Sequence, residues 1–122
     1  MDLEEAQQQQ IDAVTDGYKT ARWGTPITIT AASGAVLTIP SDEATQLNIV
    51  FYLTAHDAMA TPPSAFPLQD NAGISQTLAY SDLQALVAKL YSNATDAWTK
   101  LQTLLAEISE ATDVESVLKI QW

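Results

Sequence analysis

The chain contains no cysteine, so no disulfide can hold it together, which excludes the small, staple-dependent secreted scaffolds. Histidine occurs once, as His56. With no thiol in the chain, neither the usual zinc ligand sets nor a Cys–His nucleophile pair can be assembled within one copy. Four glycines in 122 residues supply no Gly-rich phosphate cradle. Basic residues are equally scarce: five Lys and Arg stand against fifteen Asp and Glu, a net charge of -10. Such a surface repels phosphate backbones and anionic lipid heads, so neither nucleic acid nor a membrane is an expected partner. No apolar run approaches the roughly 20 residues a membrane span needs, and the opening Met1-Asp2-Leu3-Glu4-Glu5 is acidic where a secretion signal is basic. A soluble product that stays where it is made is the expectation.

What is present is a 47% hydrophobic chain of one-domain length, from which a single core of ordinary size is expected. Leu3 to Asp16 are rich in helix formers, with Ile11 and Val14 three apart, and this helix is expected to stop at Gly17. Its four consecutive glutamines, Gln7 to Gln10, read as an exposed face. The period then changes to two. Ile27, Ile29 and Ala31 alternate with threonines, Ala32-Ser33-Gly34-Ala35 offers a turn, and Val36 to Ile39 returns, which predicts a hairpin within 17–40.

Ser41 before Asp42 and Glu43 reads as a cap with acidic residues in the first turn, predicting a helix over 41–60. Leu47, Val50, Phe51, Thr54 and Ala58 occupy one face and Ile49, Tyr52 and Leu53 widen the stripe, so this helix is expected to be covered on more than one side. Thr61-Pro62-Pro63 ends it. A second hairpin is predicted over 66–79, turning at Asp70-Asn71-Ala72-Gly73, with Ile74, Gln76 and Leu78 sharing a face. Ser81-Asp82-Leu83-Gln84 is a capping-box pattern that opens a long helix over 81–111. Its apolar seam runs Leu83, Val87, Leu90, Ala94, Ala97, Leu101, Leu104, Ile108 and Ala111, spaced four and three, flanked by Leu86, Tyr91, Trp98 and Leu105. The wide face predicts internal packing over self-association. Thr112-Asp113-Val114-Glu115 opens a short helix within 112–122, with Val114, Val117 and Leu118 inward and Trp122 docked on the core or a neighbour. The fold class read from these elements is α+β: four helices with two short hairpins between them.

Few residues carry chemistry. His56-Asp57 could orient a nucleophile, but no Gly-x-Ser-x-Gly elbow is present, and adjacent helix residues are expected to point to different faces. Asp42, Glu43, Asp82, Asp113 and Glu115 sit where helix starts favour them, and Asp70-Asn71-Ala72-Gly73 lacks the ligand pattern of a calcium loop. Asn93-Ala94-Thr95 matches a glycosylation pattern by chance inside the long helix. No catalytic, metal or cofactor residue is expected, and the chain is read as no enzyme. Tyr18, Trp23 and Trp122 are the candidate interface residues, because tryptophan is a frequent interface anchor, whereas Trp98 is expected in the core.

The order of these elements, with the turn at Asp70-Asn71, the Leu78-Ala79-Tyr80-Ser81-Asp82-Leu83 entry to the long helix and the closing Ile120-Gln121-Trp122, resembles a domain of unknown function found at the C-terminal end of bacteriophage and prophage tail and tail-fibre proteins, whose members commonly finish in a hydrophobic-x-Trp signature. The likeness covers about residues 5–122. The first hairpin departs from that pattern in being rich in Thr and Ala. The resemblance implies a structural protein of the virion tail, baseplate or fibre-attachment region, made in the host cytoplasm, present in several copies and partnered by other tail or fibre proteins. The alternatives are a soluble acidic adaptor or assembly chaperone for tail parts, and a module for host-surface glycan built on exposed aromatics such as Tyr18 and Trp23.

Overall fold

Alternation in the two threonine- and leucine-bearing runs sets up two hairpins, and longer 3.6-period stretches set up the helices around them. The structure, a computed structural model, describes all 122 residues. Along the chain lie α1 (Leu3–Trp23), β1 (Ile27–Thr30), β2 (Val36–Ile39), α2 (Glu43–Ala58), β3 (Phe66–Gln69), β4 (Ser75–Leu78), α3 (Tyr80–Glu110) and α4 (Val114–Leu118). Four helices and two antiparallel two-stranded sheets make this the expected α+β chain.

The hairpins share one construction. β1 pairs with β2 as Ile27 opposite Ile39 and Ile29 opposite Leu37, all four buried, while Thr28 and Thr38 face out with their hydroxyls 3.1 Å apart. β3 pairs with β4 as Phe66 opposite Leu78 and Leu68 opposite Gln76. Each turn is closed by two backbone bonds: the Ala31 amide donates to the Ala35 carbonyl and the Gly34 amide to that of Ala31 in the first, and the Asp70 amide to the Ile74 carbonyl and the Gly73 amide to that of Asp70 in the second. Each also carries a left-handed glycine, Gly34 at φ 89° and Gly73 at φ 81°, a conformation that a Cβ disfavours. Strand lengths, loop lengths and glycine positions recur at a spacing of 39 residues, and a helix follows each hairpin. The Asn71 amide donates to the Thr38 carbonyl at 2.8 Å, tying one hairpin to the other. Ile74, expected to share a face with Gln76 and Leu78, is exposed while Leu78 is buried, because Ile74 belongs to the turn and precedes β4.

The apolar side chains close into two clusters where one core was expected. Residues 23–92 form one compact unit, and residues 1–22 with 93–122 form another. In the first, Ile27, Ile29, Leu37, Ile39, Ile49, Phe66, Leu78, Leu83 and Leu86 are among the buried side chains. In the second, Ala6, Val14, Leu101, Ile108 and Val117 are buried, with Trp122 packed against them. A 31-residue helix is about 46 Å long at roughly 1.5 Å per residue, more than one core of this size covers. The seam of α3 is therefore met by different elements at its two ends. Within each half the expected seam holds: Leu83, Leu90, Ala97, Leu101 and Ile108 are buried.

Three local expectations are corrected. α1 passes through Gly17 and continues to Trp23; Gly24 and Pro26 end it, the latter because proline disfavours helix in the residue before it. The glutamine run is no purely exposed face, since Gln10 is buried and donates to the Ile120 carbonyl at 2.7 Å, and Gln7 donates to that of Ile108 at 3.2 Å. The expected caps also shift by one. Asp42, rather than Ser41, accepts from Thr45 N, and Asp113, rather than Thr112, accepts from Ser116 N, each at 2.8 Å. At the start of α3 the buried Asp82 carboxylate accepts from the amides of Ala79 (2.9 Å) and Ala32 (2.8 Å), joining that helix start to the first hairpin turn.

Candidate interaction surface

In α2, apolar residues occur almost all round the axis, so its packing partners decide which face is buried. Ile49 is fully buried against the hairpins, Tyr52 and Leu53 pack beside it, and the Tyr52 hydroxyl donates to the Pro67 carbonyl at 2.8 Å. Their side faces the core and the opposite side does not. Leu47, Val50 and Phe51 are 62%, 52% and 67% exposed, and Thr54 turns its hydroxyl back onto the Val50 carbonyl at 2.8 Å. The expectation that α2 is covered on more than one side is thereby overturned: two short hairpins and the start of α3 offer enough surface for one face only. Between Glu43 and Asp57 the helix has no Asp, Glu, Lys or Arg, so the exposed apolar face is also uncharged, on a chain of net charge -10.

The C-terminal end of α2 carries a polar cluster. The His56 ring stacks on Tyr80 with centroids 3.7 Å apart and planes at 10°. Its Nδ1 lies 3.2 Å from Asp57 Oδ1, and the Tyr80 hydroxyl donates to the same oxygen at 3.1 Å. Adjacent residues on this helix therefore do meet, contrary to expectation, because Asp57 is at the last turn where its side chain can bend back. The bonds from His56 and then Tyr80 hold the Asp57 carboxyl below the usual carboxylate range, and the carboxylate raises the Tyr80 hydroxyl. A histidine with a carboxylate on Nδ1 is half of a nucleophile-activating device, but no hydroxyl nucleophile is hydrogen-bonded to the ring. A groove of about 430 Å³ lies between the hairpins, lined by Val36 to Thr38 on one side and Asp70 to Ala72 with Gln76 on the other. None of the three cluster residues lines it.

The candidate anchors Tyr18, Trp23 and Trp122 are all half-buried. Tyr18 meets Trp98 edge-on, with centroids 6.0 Å apart, and its hydroxyl accepts from Arg22 Nη1 at 2.6 Å. Trp122 packs within its own cluster, with the Lys100 ammonium 4.5 Å from the ring centroid. Trp98, expected in the core, is 54% exposed, and Tyr91 two turns earlier is 71% exposed. Both lie on the outer edge of the wide α3 stripe, where only Leu86 is fully buried and Leu105 is partly covered. Sequence reasoning missed the α2 face; the available signal was the charge-free stretch from residue 44 to residue 56.

No group of three or more His, Cys, Asp or Glu side chains is placed to hold a metal ion, and no helix is long and apolar enough to cross a membrane. No family model matches the chain, and no curated protein or solved structure matches it.

Proposed function

We propose that this protein is a structural and interaction part of a bacteriophage virion, carried in the tail, baseplate or fibre-attachment region, partnered by other tail or fibre proteins and present in several copies. It acts by holding other proteins and catalyses no reaction. The order of elements and the terminal Trp support the phage assignment through the resemblance described above. The observation that carries the interaction role is the uncharged apolar face of α2. Leu47, Val50 and Phe51 are adjacent large side chains left to solvent, and contiguous apolar exposure of that kind marks protein contact surfaces. Mass spectrometry of purified tails tests the assignment: the polypeptide is expected among the tail proteins, and its consistent absence ends this reading.

The charge of -10 favours a second reading, a soluble adaptor or assembly chaperone that engages a basic tail protein transiently. Screening weakens contacts between exposed charges. A complex of this second kind would dissociate as salt rises, whereas one held by the α2 face would persist. A glycan-binding role needs open aromatic rings, and Tyr18 and Trp23 are half-buried.

A further inference from the structure

We infer that the outer face of α2 is a contact between two copies of this chain, crossing at a two-fold axis beside Val50 and Phe51; this deepens the structural role proposed above and rests on it for the assembly in which copies meet.

The pattern on the helix is self-complementary. α2 runs from residue 43 to residue 58, so its midpoint falls between 50 and 51. The outward residues Leu47, Val50, Phe51 and Thr54 are placed symmetrically about that point. In an antiparallel pair, Leu47 of each copy lies opposite Thr54 of the other, and Val50 opposite Phe51. This is what an isologous two-fold contact requires, since one patch must fit itself. None of these residues belongs to either core cluster.

The charge distribution favours a second copy over a basic partner. Two chains of -10 repel wherever their carboxylates approach, and the α2 face is a place where they can touch without bringing charges together. A basic protein would be steered to the carboxylates and would find none on this face. The nearest charged residues on the helix are Glu43 and Asp57, each about 10 Å from the midpoint along the axis at roughly 1.5 Å per residue. Packing of ridges spaced four apart crosses helices at about 50°, which separates those ends while the apolar centre stays in contact. One helix pair covers less than the roughly 800 Å² per partner of a standard interface. The expected dimer is correspondingly weak, with Kd on the order of 100 μM, and gains its strength from the high local concentration within an assembly.

Sedimentation velocity on the whole chain, from about 10 μM to about 1 mM protein, tests this. The wild type should pass from monomer to dimer, and added NaCl should tighten the dimer by screening the mutual repulsion. Phe51→Asp should stay monomeric with an unchanged circular dichroism spectrum, and Val36→Asp, at another exposed apolar position, should dimerise like wild type. Because the chain lacks cysteine, Val50→Cys gives a second readout: mild oxidation should cross-link copies, and Val36→Cys should cross-link far more slowly. A wild type that is monomeric at the highest concentration, or a Phe51→Asp variant that dimerises like wild type, overturns the inference. A monomeric protein still found in purified tails sinks the self-contact alone. A Phe51-dependent dimer absent from tails sinks the virion assignment alone.

Discussion

Trp122 sits directly over Gly17. A Cβ built on that glycine would lie 2.6 Å from Trp122 Cβ and 2.7 Å from Cδ2, and closer still to Cγ. Glycine in a helix interior is less favourable than alanine by about 1 kcal/mol, so its presence mid-way along α1 is explained by the ring that occupies the space. Gln10, about two turns earlier in α1, holds the same terminal segment by donating to the Ile120 carbonyl.

Gly17→Ala therefore has opposite signs in two backgrounds. In the wild type the new methyl displaces the ring, and the expected net loss is about 1–3 kcal/mol, as for overpacking elsewhere. In Trp122→Gly, which removes both the ring and the Cβ that lies 2.6 Å from the new methyl, the space is open and the same change should stabilise by up to about 1 kcal/mol through helix propensity. Urea denaturation of the four proteins of this cycle checks it; the same sign in both backgrounds would contradict the close approach.

The orientation of α2 is testable at neighbouring positions. Ile49→Ala empties a fully buried site and should cost about 2–4 kcal/mol. Phe51→Ala trims a larger but exposed side chain, and its effect on the stability of a dilute sample should stay within about 0.5 kcal/mol. Comparable losses at both positions would mean that α2 is covered on both sides.

Asp82 supports two segments at once. Asp82→Ala leaves the amides of Ala32 and Ala79 without their acceptor, an expected loss of about 1.5–3 kcal/mol, as for hydrogen bonds to a charged group. Hydrogen exchange at those two amides should accelerate together. If only the Ala79 amide responds, the link from α3 to the first hairpin turn is not made in solution.

Four carboxylates lie below their ordinary range, Asp57 at the end of α2 and three others. Asp42 is held below its ordinary value by Thr45, Asp70 by Gln76 and then the Ile74 amide, and Asp113 by the Ser116 amide and then its hydroxyl. A carboxyl lowered in the native state binds its proton more weakly there than in the unfolded chain. Its stabilisation is therefore present above the unfolded value of about 3.9 and is lost as pH falls through the native one. Protonation also relieves the repulsion of a -10 chain, but that acts on wild type and variant alike. Thermal melts from about pH 5 to about pH 2 should fall less steeply for Asp70→Asn than for wild type, over the range where Asp70 titrates. Equal slopes would show that the turn bonds of Asp70 do not form.

Both hairpins, with the inward isoleucines of the first, the inward Phe66, Leu68 and Leu78 of the second and a glycine in each turn, are legible from alternation and turn residues alone, because those signals are local and strand burial has a period of two. The inward seam of α3 from Leu83 to Ile108 is legible for the same reason: a four-and-three spacing on one helix leaves one face to bury. Local signals failed where a helix was apolar on several sides or a residue answered to something distant. Gly17 looks like a helix stop until the Trp122 ring is placed against it, and Gln7 and Gln10 look exposed until the Ile108 and Ile120 carbonyls reach them. Which segments are helix and strand, the excess of negative charge and the lack of cysteine chemistry all follow from the order and kind of residues alone. That the apolar residues form two clusters, that Trp122 packs within one of them, and that Leu47, Val50 and Phe51 remain outside both depends on how the elements come together. Burial depends on how much surface the neighbouring elements present, and no periodicity within α2 contains that quantity.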